Sequence, residues 1–356
     1  MRLLLFSDNH FSKSSSIITA SGSRYSVRLE NQIQSLDWVE STAVKNNCDM
    51  IVCLGDFFDS PTLCAEEISA LKELQFSSIP RIFLVGNHEL GLVIDKYNSA
   101  NIFSIIDVAS VIAKPTTMLV NRTLICFLPY IKEDNRKKLE EYLATQVDPN
   151  SYDYVIILSH NDIKGINYGG HISKFGFSID EIEGCCNLFI NGHLHNCGYI
   201  NDRKTILNIG NLTGQNFLED AFTYSHNVLI LDTDSLEVVS IENPYALNFY
   251  NLDLCEKDNE EINSILSKLK TNAVLSIRCD ESNIYSVKDA VSLYKSNGSS
   301  IVASRVILCA RNNAGSVDGK KADSYMLNHV SEFIKYIHEN VGNDDTINEE
   351  LQMVLS

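Results

Sequence analysis

The chain is poor in positive charge: 29 Lys and Arg stand against 46 Asp and Glu, a formal net charge of −17. That balance argues against the broad basic surface by which many proteins hold nucleic acid. Long apolar runs are also missing. None approaches the ~20 residues of a membrane-spanning helix. The opening stretch Leu3-Leu4-Leu5-Phe6 is too short for a signal-peptide core and runs straight into Asp8 and His10. A cytoplasmic protein is expected, or one of the host cytoplasm if the source is a phage. Ten cysteines are present, but none forms a C-x-x-C pair and several sit inside apolar runs. They read as small buried hydrophobes in a reducing compartment, not as a disulfide framework. No internal repeat or low-complexity tract is found.

What is present is an ordinary globular composition, 44% hydrophobic and 21% charged over 356 residues, enough for one large domain and a smaller one. Short buried-strand patterns alternate with amphipathic ones. Residues 2–6, 50–54, 81–85, 154–158 and 188–191 read as strands. Leu29 to Lys45 and Cys64 to Phe76 read as helices, because their apolar residues recur at helical spacing. The order strand, helix, strand, helix, strand favours parallel pairing with helices outside. Residues 107–113 and 123–128 read as two strands around a turn, 133–146 as a charged helix, and Asn167 to Gly170 as a loop. Residues 227–231 and 236–241 read as a hairpin. Beyond Pro244 the pattern changes to a small α/β unit with helices at 260–270 and 286–295 and strands at 273–277 and 304–309. A Gly/Asn/Ser-rich linker covers 312–321. The last 35 residues carry Tyr325, Val330, Phe333, Ile334 and Ile337 at helical spacing. Such a tail must fold back or dock on a partner to bury that face. The expected domains are 1–243, 244–311 and a linker plus helical tail over 312–356.

Five times an apolar strand stops and hands over Asp, Asn or His: Asp8 and His10, Asp56, Asn87 and His88, His160, then His193 and His195. Each segment alone is an unremarkable polar turn. Together they matter, because in α/β sheets functional groups gather where the carboxyl ends of strands converge. Residues i and i+2 of extended backbone share a side, so His193 and His195 can reach one point. Seven of these eight side chains can ligate a metal through oxygen or imidazole nitrogen. One ion takes at most about six ligands, water included, so seven protein ligands suggest two ions, with Asp56 as the natural bridge. Cys197 could add a thiolate, but the oxygen and imidazole donors already suffice. The other four histidines, His171, His226, His329 and His338, lack a strand-end context and are expected at the surface or in packing.

As a set, Asp8-x-His10, Gly55-Asp56, Gly86-Asn87-His88-Glu89, His160 and Gly192-His193-x-His195 resemble the five motifs of the calcineurin-like metallophosphoesterases. The resemblance implies a four-layer α-β-β-α sandwich, extended here by a small C-terminal α/β capping domain and a helical tail. It implies one ion on Asp8, His10, Asp56 and His195, and another on Asp56, Asn87, His160 and His193. Mn²⁺ is the metal it suggests, with Mg²⁺, Fe or Zn²⁺ as alternatives. His88, the non-ligand, is expected to stabilise transition-state charge and protonate the leaving group. Within the superfamily, Gly55-Asp56-Phe57-Phe58-Asp59 and the added α/β unit resemble the SbcD-type nuclease subunits of DNA repair and recombination. That narrower likeness implies DNA as substrate, a homodimer, and a coiled-coil ATPase of the SbcC type docking on residues 322–356. One departure is visible: Gly210-Asn211 stands where a Gly-Ser pair belongs, and it is left out of the expected site. The alternatives are a phosphodiesterase or phosphatase acting on a small molecule or phosphoprotein, which the acidic balance favours, and a non-catalytic scaffold of the same fold.

Overall fold

Alternation within the strand Arg2–Phe6 sets the layering. Its side chains point to opposite faces in turn, and Leu3 to Phe6 are all buried. Leu3 and Leu5 pack with Val52, Ile82, Ile125, Ile156, Ile190 and Leu229. Leu4 and Phe6 pack on the other side with Leu29, Leu36 and Val39 of the helix Val27–Lys45. A strand buried on both faces has no polar side to show, which explains its unbroken apolar run. Each such side chain contributes roughly 1.5–3 kcal/mol by leaving water. The structure, a computed structural model, describes residues 1–15, 24–91, 98–105, 107–143, 147–168, 171–280, 282–296 and 301–309.

Two six-stranded sheets result. The first runs in the order Val238–Glu242, Asn227–Asp232, Arg2–Phe6, Met50–Cys53, Arg81–Leu84, Ser110–Ile112. Its last four strands are parallel, and the hairpin of the first two joins Arg2–Phe6 antiparallel. The second runs Gly198–Tyr199, Ile206–Asn208, Leu188–Asn191, Tyr154–Ser159, Thr123–Leu128, Thr116–Val120, with the central four parallel. Side chains of both sheets share one core, so the sheets lie face to face. The outer face of the second sheet is covered by Leu139 of the helix Leu139–Leu143 and Ile182 of the helix Ile179–Cys185. This is the expected four-layer α-β-β-α sandwich.

Caps agree with the helix boundaries. Ser26 accepts from the Leu29 amide at the start of Val27–Lys45, and Asn47 follows its end in the left-handed region, φ 51°. The second helix is shorter than its sequence pattern, Ala65–Leu71. The charged helix expected over 133–146 is interrupted. A turn at Glu133–Asn135 and the helix Leu139–Leu143 flank Arg136, whose backbone is extended. Arg136 leaves the helical path to lay its guanidinium over Phe177, 4.6 Å from the ring centre, and to donate to the Ile131 carbonyl. Tertiary contacts of one arginine outweigh local propensity here.

The strands expected at 107–113 and 123–128 do not pair with each other. Ser110–Ile112 closes the first sheet, while Thr123–Leu128 lies in the second. The partner of Thr123–Leu128 is Thr116–Val120, a strand the sequence did not suggest, joined through Asn121 at φ 53°. Where a loop was expected at Asn167 to Gly170, Asn167–Tyr168 pairs antiparallel with His171–Ile172, and Gly169 and Gly170 fall outside the described residues.

Beyond Pro244, three parallel strands, Asn248–Asp253, Ala273–Asp280 and Ile301–Cys309, form a sheet of their own. Asn248–Asp253 had no sequence signal. Helices Asn259–Leu266 and Ile284–Ser296 cover one face through Ile262, Leu266, Val287 and Val291. Phe249 and Val274 on the other face meet Val27 and Phe217. Residues 1–309 form one compact unit. The linker and helical tail expected over 312–356, with His329 and His338, lie outside the described residues. Among the described residues no helix is long and apolar enough to cross a membrane.

Candidate metal centre

The carboxyl ends of the parallel strands in both sheets meet along one edge, and the loops that leave them are stitched together. Asp8 and His10 donate their amides to the Gly55 and Asp56 carbonyls, at 3.1 and 3.0 Å. The His160 amide reaches the Leu128 carbonyl, and the Leu212 amide reaches that of Ser7. Asp8, His10, Asp56 and His193 all have positive φ, between 47° and 69°. Such backbone is costly for residues with a Cβ, by roughly 1–3 kcal/mol each, and persists where the surroundings over-determine it. Two glycines make the crowding possible. A Cβ on Gly55, at φ 113°, would lie 2.4 Å from His160 Nδ1, and one on Gly86 would lie 2.2 Å from Asp56 Oδ1.

The structure brings together all eight side chains singled out from the sequence. Three clusters of donor atoms form, each with its atoms within 4.8 Å of one another: Asp8, His10 and His195; His10, Asp56 and His88; Asp56, His160 and His193. Asn87 joins the last through its Oδ1, 3.3 Å from His160 Nε2. Asp56 stands between the groups, its Oδ2 being 3.1 Å from His160 Nε2 and 3.9 Å from His10 Nε2. Its Oδ1 accepts the His88 amide at 2.9 Å, as Asp8 Oδ2 accepts the His193 amide at 3.0 Å. One oxygen of each aspartate is thus tied to the scaffold; the other faces the imidazoles, Asp56 Oδ2 against His160 Nε2 and Asp8 Oδ1 with no partner. Asp8 Oδ1 and His10 Nε2, 3.9 Å apart, are buried without a hydrogen-bond partner. Orphaned buried donors and acceptors are expensive, and a divalent cation between them would satisfy both. The donor set, imidazole, carboxylate and carboxamide without thiolate, fits such ions. Cys197 enters none of these clusters.

A second ring of residues fixes the imidazoles. His10 Nδ1 faces Asp59 Oδ1 at 3.0 Å, His160 Nδ1 faces the Leu54 carbonyl at 2.8 Å, and His195 Nδ1 faces Glu219 Oε1 at 2.8 Å, which leaves Nε2 of each for the centre. His193 Nε2 lies 3.3 Å from Asp162 Oδ1. His88, partly exposed, faces the Asp59 carbonyl with Nδ1 at 3.1 Å and stacks edge-on to His10, with centroids 4.5 Å apart. Glu89 is fully buried and accepts from the amides of Phe57, Phe58 and Gly86, binding the Asp56 loop to the Asn87 loop. Burial, then the nearby Asp56 carboxylate, pushes Glu89 up to about 7. Burial opposes charge on His160, but Asp56 and Asp8 together lift it to about 9. Asp56 is held well below the ordinary carboxylate range, its neighbours His160 and His10 outweighing its burial.

Asp59, Asp162 and Glu219 were not anticipated. Asp59 and Asp162 lie three residues after Asp56 and two after His160, near enough to have been suspected. Glu219 has no signal of its own, because only the fold carries it to His195. Asn211 also belongs here: its side-chain amide donates to Glu219 Oε2 at 3.0 Å, and its Oδ1 faces His226 Nδ1 at 2.8 Å. His226 is buried in packing, as expected.

The family model for calcineurin-like phosphoesterases matches residues 1–197. The chain belongs to the calcineurin-like phosphoesterase family, and it is a metal-dependent phosphoester hydrolase of the kind that works with two metal ions. Among curated proteins no match was found. Similar solved structures include a dimetal phosphatase from Danio rerio (12% identity, 68% of this chain and 98% of that one, TM-score 0.36). The protein TT1561 of Thermus thermophilus is comparable (10% identity, 68% and 98%, TM-score 0.38). A glutamine-dependent NAD+ synthetase from Acinetobacter baumannii also appears (11% identity, 99% and 70%, TM-score 0.32). These likenesses are distant, and the family assignment rests on the family model and the site.

Proposed function

We propose that this phosphoesterase cleaves DNA phosphodiester bonds, as the exonuclease or endonuclease subunit of an SbcD-type repair or recombination complex. The observation that carries hydrolysis is Asp56 placed between two groups of donors, beside the orphaned Asp8 Oδ1 and His10 Nε2 that a cation would satisfy. What favours DNA is the α/β unit appended after the sandwich, Asn248 to Cys309, together with Gly55-Asp56-Phe57-Phe58-Asp59.

In this reading Asp8, His10, Asp56 and His195 hold one ion, and Asp56, Asn87, His160 and His193 hold the other. Two divalent ions, Mn²⁺ in this proposal with Mg²⁺, Fe or Zn²⁺ as alternatives, would lower the pKa of a water toward ~7 and neutralise charge on the attacking and leaving oxygens. The chain's own residues do the remainder. Glu219, Asp59 and the Leu54 carbonyl hold three imidazoles in one orientation. His88, anchored through Nδ1 on the Asp59 carbonyl, keeps Nε2 for the phosphoryl oxygens and the departing hydroxyl. No serine or cysteine nucleophile is required.

The charge of −17 favours a second reading, a phosphodiesterase or phosphatase for a small molecule or phosphoprotein. Digestion of end-labelled linear DNA beside p-nitrophenyl phosphate, both with Mn²⁺, separates the two. Degraded DNA supports the nuclease; turnover of the phenyl ester with intact DNA removes it. The partner proposal is that residues 322–356 dock on a coiled-coil ATPase and that the nuclease is a homodimer in the cytoplasm. A chain ending at Lys321 that bound the ATPase as tightly as the full chain would overturn the docking part.

A further inference from the structure

We propose that the groove running from the metal centre along residues 194–200 seats one nucleoside of the substrate, its base lying against Tyr199. The proposal rests on the phosphodiesterase reading of the site and names the substrate group beside the scissile phosphate. The groove has a volume of about 650 Å³, within the range of roughly 300–1,000 Å³ usual for small-molecule sites. Its lining includes His193 and His195 of the donor set, with Asp162 and Glu219 that face them, so a group lying in it adjoins a phosphate at the metals. The strand Gly198–Tyr199 and the loop before it line the groove together with Asn167, Leu218 and Tyr224.

The chemistry of the lining decides what fits. Among the described residues it contains no lysine or arginine, while Asp162 and Glu219 are carboxylates. A run of phosphates would find no counter-charge there away from the metals. The lining is instead rich in amide and phenol groups: Asn167, Asn196, Asn208 and Asn216 with Tyr199 and Tyr224. Carboxamides match the mixed donor and acceptor edges of a base, and a tyrosine offers it a flat face. Tyr199 is half exposed at 48%, so its ring is open to a ligand. Asn208 holds the loop before Tyr199: it is buried, and its side-chain amide donates to the carbonyls of Leu194 (2.6 Å) and Asn196. A base in this groove cannot remain stacked in a duplex, so substrates with splayed or single-stranded nucleotides are favoured.

The test uses four chromogenic and natural substrates with the full chain and Mn²⁺: the p-nitrophenyl esters of thymidine 3′-phosphate and thymidine 5′-phosphate, methyl p-nitrophenyl phosphate, and single-stranded DNA. One thymidine ester should be cleaved with a kcat/KM about 10-fold or more above the methyl ester, the order expected of one stacked base. Tyr199→Ala should abolish that preference while leaving the methyl ester and the bound metal unchanged, and Tyr199→Phe should keep it. The proposal is overturned if neither thymidine ester is preferred, or if Tyr199→Ala lowers all substrates equally. The two levels fail separately. A thymidine preference with intact DNA removes the nuclease reading and keeps the groove; degraded DNA without the preference does the reverse.

Discussion

Glu219 Oε1 lies 2.8 Å from His195 Nδ1, and its other oxygen accepts from the Gln215 amide at 2.9 Å and from Asn211. The segment that carries Glu219 is itself bound to the small C-terminal sheet. Gly214 and Ala221 donate their amides to the Leu247 and Phe249 carbonyls, Asn251 donates to the Phe217 carbonyl, and the Phe217 and Phe249 rings meet edge to face. Among the described residues, the sheet after Pro244 gives no donor to the metal clusters, yet it fixes the residue that orients one.

Glu219→Gln should therefore weaken metal binding without abolishing the fold. Loss of a carboxylate behind a ligating histidine typically costs ~10–100-fold in affinity. Titration of Mn²⁺ against turnover should show the midpoint shifted by that order, with most of the maximal rate recovered at saturation. An unchanged midpoint would mean that packing alone holds His195.

His88→Ala should separate chemistry from metal binding. Its side chain is partly exposed, is held by the Asp59 carbonyl and packs edge-on against His10; with His88 a ligand of neither ion in the proposed sets, metal content should stay that of the parent. Turnover should fall by ~10²–10⁴-fold, the usual contribution of a positioned acid or base. Parallel loss of metal and turnover would make His88 structural.

Gly55→Ala should be among the most damaging single-methyl additions in the chain. Its φ of 113° is foreign to alanine, and the new Cβ would press on the buried His160 ring. A loss of roughly 1–3 kcal/mol or more is expected from the backbone alone. It should be read as a lower denaturant midpoint with reduced metal content, and a midpoint equal to the parent's would contradict the geometry.

Metal uptake should release protons. Without metal, His160 is lifted to about 9 by Asp56 and Asp8, so it carries a proton at neutral pH. A ligating imidazole must be neutral. The sign follows: below about 9 the proton competes with the ion, and affinity rises with pH by up to about tenfold per unit from this group alone. Calorimetry in buffers of different ionisation enthalpy should detect the released proton. Affinity independent of pH between about 6 and 8 would exclude His160 as a ligand.

The sandwich and its site were legible in the sequence to different degrees. Strands buried on both faces, such as Arg2–Phe6 and Tyr154–Ser159, announce themselves as unbroken apolar runs, and each hands over its ligand within four residues. Local order along the chain was enough to name Asp8, His10, Asp56, Asn87, His88, His160, His193 and His195, because the chemistry needs those residue types at strand ends. Two of the edge strands carry no such mark. Thr116–Val120 and Asn248–Asp253 alternate with polar or exposed residues, and pairing, not composition, makes them strands.

Contacts between distant parts of the chain were decided only by the tertiary structure. Arg136 broke an otherwise helical pattern because Phe177 lay in reach. Glu219 became the anchor of His195 because the small sheet holds its loop, and Asn211 joined them through the same fold. The groove beside Tyr199 exists because a short edge strand, the segment at Ile166 and Asn167 and the Glu219 loop come together beside the metal centre. The sequence determined which donors could bind metal, since that is a property of side-chain chemistry. Which carboxylates would orient them, and what space would lie beside them, depended on how two sheets and a third small one pack, and no local pattern encodes that.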